Sequence, residues 1–267
     1  MRTAVISDIH VDINEDYDVI GALKEYLKEN EVELLLIAGD ISSYPQQTIE
    51  TVEKIEAGGN TKVLYVPGNH DMWNKEGKYE NNEVIYDMMC KDPHCLSGKT
   101  YEVGDYILLG DVAWYDYSFG NPKYTKEEFD RMEIEGRRFQ DSLYNEWSKD
   151  NQGKCDWFIK RFEGLMEQNQ GKHFILMTHV LSHPAFTVPE GIGNWSYLNA
   201  FLGSKKLQDL CLRYPVDYAI CGHVHYRKSF KEDGVTWMCR CLNYHNEWRG
   251  EKDIRKQIAS AIEIIEL

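Results

Sequence analysis

Apolar residues along this chain recur with two periods that alternate. Thr3–Ser7, Val32–Ala38 and Lys62–Val66 are short, nearly continuous apolar runs, the pattern of strands buried on both faces. Between them, Tyr17–Asn30 spaces Val19, Ile20, Leu23, Tyr26 and Leu27 as one face of a helix, and Gln46–Glu56 reads as a helix stopped by Gly58-Gly59. Strand, helix and strand in that order predict an α/β fold with parallel neighbours. Further on, Tyr79–Met89 predicts a helix, and Thr100–Val103 with Tyr106–Leu109 predicts a hairpin around Gly104-Asp105. Thr125–Trp147 carries helical patterning behind a Thr125/Glu128 capping box. Asp156–Gln168 and Lys205–Arg213 read as helices, Phe174–Thr178 and Val216–Cys221 as strands. Tyr226–Phe230 and Val235–Arg240 form a hairpin around Asp233-Gly234. The tail Glu251–Leu267 predicts a closing strand or helix, and no internal repeat interrupts the order.

Length and composition then narrow the class. At 267 residues, with 42% hydrophobic and 28% charged residues, the chain can bury a substantial core as one domain over 1–267. Two segments, about 112–150 and 181–203, read as caps or inserts on that domain. No apolar run approaches the length that spans a bilayer. The chain enters its first strand with no charged-then-apolar leader, so a cytoplasmic location and no membrane partner are expected. The net charge of −14, with no basic block, argues against nucleic acid and for a small phosphorylated substrate. No partner protein can be deduced. Seven cysteines lack CxxC spacing. Cys90 with Cys95, or Cys239 with Cys241, could hold zinc, but buried free thiols are the simpler expectation.

Five segments change the picture: Asp8-Ile9-His10, Gly39-Asp40, Gly68-Asn69-His70-Asp71, His179 and Gly222-His223-Val224-His225. Each follows an apolar run, where an open α/β sheet gathers its ligands. In extended backbone, residues i and i+2 point the same way, so Asp8 with His10, and His223 with His225, can converge on a shared cluster. Each segment has a blander role on its own. Asp40 could cap a helix, the Gly68 segment could be an Asx turn, and His179 could be a satisfied core histidine. Their joint occurrence in order is a different matter. Mixed carboxylate, carboxamide and imidazole donors suit first-row transition metals. A metal pair cleaves phosphate esters.

The five segments together resemble the calcineurin-like metallophosphoesterase superfamily, whose pattern D-x-H, G-D, G-N-H-[DE], H, G-H-x-H is matched without substitution from Asp8 to His225. The resemblance implies a four-layer α/β/β/α sandwich, two mixed β-sheets flanked by helices. It implies two divalent or trivalent transition metals, manganese first, with iron or zinc as alternatives. Asp8, His10 and His225 would serve one metal, Asn69, His179 and His223 the other, and Asp40 would bridge them. His70 would face the substrate and stabilise or protonate the leaving oxygen, with Asp71 holding its ring. The implied activity is hydrolysis of a small phosphate ester or diester by metal-activated water. The alternatives on the same fold are a non-catalytic binding scaffold or a nuclease. The Arg-containing G-D-x-x-D-R-G pattern of protein phosphatases is missing, because Ile41-Ser42-Ser43-Tyr44 follows Asp40. Substrate contacts are expected from the aromatics Trp114, Tyr115, Tyr117 and Trp195, which can stack on a base or sugar. His183 has no assignable role, His173 should face away from the site, and Arg137, Arg138 and Lys123 are candidate phosphate contacts for which solvated surface is the simpler expectation.

Overall fold

A computed structural model describes residues 1–267. In chain order the first half runs β1 (Arg2–Ile6), α1 (Val19–Glu29), β2 (Leu34–Ala38), α2 (Pro45–Glu56), β3 (Lys62–Val66), α3 (Asn82–Lys91), β4 (Thr100–Val103) and β5 (Tyr106–Asp111). Then come α4 (Lys126–Asp130), β6 (Glu133–Ile134), β7 (Arg137–Arg138), α5 (Asp141–Tyr144) and α6 (Asn151–Gln168). The last third holds β8 (His173–Thr178), α7 (Trp195–Leu198), α8 (Lys205–Arg213), β9 (Val216–Cys221), β10 (Arg227–Glu232), β11 (Val235–Arg240), α9 (Ile254–Ala261) and β12 (Glu263–Glu266). Helix starts are set by side chains that accept orphan N–H groups: Asp18 from Gly21, Asn81 from Val84, Asp150 from Gly153. Pro45 opens α2, where a missing N–H costs nothing.

Two mixed sheets follow, ordered β12-β1-β2-β3 and β10-β11-β9-β8-β5-β4. β1, β2 and β3 are parallel neighbours, as are β5, β8, β9 and β11, while β12, β10 and β4 close the edges antiparallel. Side-chain alternation divides the apolar residues into two populations. Val5, Leu34, Leu36, Leu64 and Val66 of the first sheet meet Leu108, Ile175, Met177, Ile220 and Met238 of the second in a dry layer between the sheets. Their alternates, such as Ile6, Leu35, Ile37, Leu109, Phe174 and Leu176, face the helices. The result is helices, sheet, sheet, helices. Because the central strands run the same way, the carboxyl ends of β1, β2, β3, β8 and β9 all deliver their following residues to the site.

The patterned elements form where expected, with four differences. Thr125–Trp147 is not one helix: the Thr125 capping box is present, but α4 stops at Asp130 and a β6–β7 hairpin intervenes. Its turn is Glu135-Gly136, both left-handed (φ 51° and 74°), a tight-hairpin geometry that the surrounding charge pattern conceals. α6 begins at Asn151 rather than Asp156, because Asp150 supplies the cap. The segment 181–203 contains α7 and two 3₁₀ turns, Pro184–Phe186 and Asn199–Phe201. The tail is helix then strand, not one element. All seven cysteines are free thiols, and six of them are buried. No helix is long and apolar enough to cross a membrane.

Candidate metal centre

Backbone clasps bring the strand-end loops together before any side chain is considered. Asp8 and His10 donate N–H to the carbonyls of Gly39 and Asp40, and the Gly222 N–H donates to the His179 carbonyl. Gly39 (φ 82°) packs so closely on Gly68 that a Cβ would lie 2.7 Å from the Gly68 nitrogen and 2.6 Å from His179 Nδ1. Asp8, His10, Asp40, His223 and His225 all have left-handed backbone, with φ of 51°, 41°, 53°, 72° and 58°. The i, i+2 pairs therefore converge through left-handed turns beyond the strands, not through extended alternation. Non-glycine residues at such φ persist only where surrounding structure over-determines them, commonly at functional sites.

The side chains form two donor sets that share Asp40. Asp40, His179 and His223 make one, Asp8, His10 and His225 the other, and His10 with His70 also faces Asp40. In the first set His179 Nε2 lies 3.0 Å from Asn69 Oδ1, 3.1 Å from His223 Nδ1 and 3.3 Å from Asp40 Oδ1. Donors about 2.0–2.1 Å from one cation sit roughly 3.0–3.4 Å apart, and the three separations from His179 Nε2 match that spacing. The second set is wider: His225 Nε2 to Asp8 Oδ1 is 3.5 Å, His10 Nε2 to Asp40 Oδ2 3.7 Å and to Asp8 Oδ1 3.9 Å.

The rings are held with one nitrogen turned inward. His179 Nδ1 faces the Ala38 carbonyl (2.9 Å), His223 Nε2 the Phe201 carbonyl (3.1 Å), and His225 Nδ1 the Glu247 carboxylate (2.6 Å). Each acceptor takes the N–H of the outer nitrogen, so the inner nitrogen is the one that can turn a lone pair to a metal. His10 is wholly buried with neither ring nitrogen hydrogen-bonded. Such an orphan is expensive without a ligand, and a cation at Nε2 would remove half the deficit. Burial, reinforced by the charge of the other imidazoles, holds His10 well below its ordinary pKa and His223 down to about 3. Both are thereby neutral and ligand-competent. Burial opposes charge on His179 too, but Asp40 beside it lifts that ring to about 10. A proton there is what an incoming cation would displace.

His70 stands at the open side. Its ring stacks on Trp73 (centroids 3.6 Å apart), Nδ1 lies 3.3 Å from Ser43 Oγ, and Nε2 is 3.9 Å from Asp40 Oδ2. Burial and the neighbouring rings push its pKa well down. Asp71 does not hold this ring. Its carboxylate accepts from the N–H groups of Ile41 (3.0 Å), Ser42 (3.0 Å) and Gly68 (2.7 Å) and from Thr48 Oγ1 (2.5 Å). It ties the Asp40 loop to the Gly68 turn instead. Burial, then the Asp40 charge, lifts Asp71 to about 7.

A cleft of about 900 Å³ opens beside the donors, bordered by Trp195, Phe139, Leu198 and Leu202, with Arg137 and Arg138 also on its wall. Trp195 is therefore where a substrate contact was expected. Trp114, Tyr115 and Tyr117 are not: all three are buried in the core, and none borders the cleft. Their polar atoms are spent internally, Trp114 on Asn151, Tyr115 on Asp141 and Tyr117 on Asp130. His183 packs on Trp237 and Phe230 and caps a 3₁₀ turn, outside the donor sets. His173 pairs with Asp217 at the surface. Glu247, Tyr244 and Asp141 stand against the site without lying in any motif; only their isolation in unpatterned segments hides them.

The family model for calcineurin-like phosphoesterase matches residues 1–227. The chain is 22% identical over 262 residues to an uncharacterized protein of Acanthamoeba polyphaga mimivirus, covering 91% of each. It is 22% identical over 234 residues to the [acyl-carrier-protein] phosphodiesterase PptH of Mycobacterium tuberculosis, covering 82% of this chain and 71% of that one. The crystal structure of that phosphopantetheinyl hydrolase superposes with a TM-score of 0.79 at 19% identity, covering 98% and 95% of the two chains. A dimetal phosphatase from Danio rerio superposes with a TM-score of 0.55 at 11% identity, covering 90% and 86%. The chain belongs to the calcineurin-like phosphoesterase family and is a metal-dependent phosphoric ester hydrolase.

Proposed function

We propose that the protein holds two first-row transition metals, manganese by preference, and hydrolyses a phosphodiester with one extended organic arm. The observation that carries this is the division of Asp40: Oδ1 faces His179 at 3.3 Å and Oδ2 faces His10 at 3.7 Å, so one carboxylate serves two donor sets. When bound, such a pair lowers the pKa of a water and neutralises phosphoryl charge. The chain's own contribution is positional. Asp8, His10 and His225 would hold one cation, and Asn69, His179 and His223 the other. His70, with Nδ1 against Ser43 Oγ, would act as its imidazolium, which the negative charge of a bound phosphate favours, and would give its Nε2 proton to the departing oxygen. Trp73 beneath the ring sets that direction.

The substrate reading rests on the cleft. Arg137 and Arg138 are the only arginine or lysine residues on the cleft wall, and a singly charged diester asks for less positive charge than a dianionic monoester. The apolar wall of Trp195, Leu198 and Leu202 suits an extended arm, and Arg137 and Arg138, both exposed, would meet an anionic group on it. The relative from Mycobacterium tuberculosis is named for an acyl-carrier-protein phosphodiester and for phosphopantetheinyl hydrolysis, and a phosphopantetheine arm fits this description of the cleft. The test is metal content by mass spectrometry on a manganese-loaded sample, assayed on p-nitrophenyl phosphate, bis-p-nitrophenyl phosphate and a holo-acyl carrier protein. Two metals per chain, faster turnover of the diester and release of phosphopantetheine are expected. Preference for the monoester would overturn the diester reading. No metal and no turnover after reconstitution would overturn the whole.

A further inference from the structure

Asp141 opens the short helix α5 and is 2% exposed, yet its carboxylate receives four donors from three separate parts of the chain. Oδ1 accepts from Asn69 Nδ2 (2.9 Å), Trp73 Nε1 (2.7 Å) and Asn145 Nδ2 (2.9 Å), and Oδ2 accepts from the Tyr115 hydroxyl (3.2 Å). Two of these donors matter to the metal centre. A carboxamide can present either its oxygen or its amine to a neighbour, and a carboxylate accepts only from the amine. With Nδ2 held by Asp141, the Asn69 oxygen must point the other way, to within 3.0 Å of His179 Nε2, where it can serve a cation. The second donor, Trp73, is the ring stacked 3.6 Å from His70.

We infer that Asp141 is a positioning residue that orients Asn69 as an oxygen donor to one metal and steadies Trp73 under His70. A single carboxylate outside every motif would thus tie the segment between β5 and α6 to both the metal centre and the proton donor. Asn145 strengthens the tie, since its Nδ2 also lies 3.3 Å from the Asn69 carbonyl. The inference rests on the two-metal reading of the donor sets.

The experiment withdraws manganese from the holoenzyme with a graded chelator and counts the metal left on each chain by mass spectrometry. Asp141→Ala should weaken one of the two sites roughly 10–100-fold, the usual effect of losing a residue that orients a ligand. Asp141→Asn keeps a carbonyl oxygen for the Asn69 amine, and the Tyr115 hydroxyl can turn to accept from its amide, so it should weaken the same site only a few-fold. In an Asn69→Ala background the Asp141 changes should add almost nothing, because their effect travels through Asn69. A merely structural role would add in full. Should Asp141→Ala fail to fold, the graded loss in Asp141→Asn decides. Unchanged affinity at both sites, or full additivity on Asn69→Ala, overturns the inference. A wild-type holoenzyme that never holds two manganese ions overturns the two-metal reading itself, and is seen before any variant is made.

Discussion

Glu247→Ala should loosen one metal and spare the other. Glu247 Oε2 lies 2.6 Å from His225 Nδ1 and also receives the Tyr244 N–H at 3.4 Å. Burial disfavours charge on both partners, yet their hydrogen bond and mutual attraction win, lifting His225 and lowering Glu247. Both shifts favour the charged forms, which marks a charge-assisted contact. Residues that orient a metal-bound histidine are worth roughly 10–100-fold in affinity, about 1.4–2.7 kcal/mol. The Glu247 side chain is 44% exposed, so solvent screens the pair and the low end applies: about tenfold, or about 1.4 kcal/mol. Glu247→Gln keeps an acceptor and should lose only a few-fold. Chelator competition on the holoenzyme would follow two phases, and only the phase assigned to Asp8, His10 and His225 should move. If both phases shift together, or neither does, the contact does not set that site and the division into two donor sets is wrong.

Other expectations follow from the same geometry. Asp40→Asn should lose at least one metal and most activity, since an amide offers only one oxygen to the two sets; retained metal and rate would refute the shared role. His70→Ala should keep its metals and slow alkoxide leaving groups far more than p-nitrophenolate, which hardly needs a proton; equal losses would remove His70 as the donor. Lys154 is buried, pushed down from 10.5 to about 8 by desolvation, with its ammonium 4.2 Å from the centre of the Trp114 ring. That shift corresponds to about 3.4 kcal/mol against the charged form, of which a cation–π contact returns up to about 2. Lys154→Met should therefore stabilise the fold at pH 7 by about 1–3 kcal/mol. Between pH 8 and 10.5 the unfolded chain holds more protons than the folded one, so wild-type stability rises and the gap closes. Urea unfolding at pH 7 and pH 10 checks this, and a gap independent of pH refutes it.

Every residue of the two proposed donor sets was legible in the chain, because the donor types follow apolar runs and the sheet collects the ends of those runs. What escaped were contacts without periodicity. Asp141 and Glu247 are single acidic residues among many in a chain of net charge −14, and nothing local distinguishes them from solvated ones. The aromatics show a second limit. Trp114 and Trp195 both sit in unpatterned segments, but one is wholly buried and the other borders the cleft. Composition reveals that a segment carries rings, not which way they turn. Asp71 shows a third: the resemblance implied that it holds the His70 ring, whereas its carboxylate turns back to the N–H groups of Ile41, Ser42 and Gly68.

The left-handed backbone at five of the seven donors has a bearing on protein engineering. A non-glycine residue in that conformation costs of order 1–3 kcal/mol, so the donor loops are not self-sufficient pieces. Grafting the same residues onto another scaffold at matching strand ends would carry over the chemistry without the torsions, and the rings would splay. The unit that can be transplanted is the loop set with its clasps, Gly39 against Gly68 and Asp8 and His10 against the Gly39 and Asp40 carbonyls.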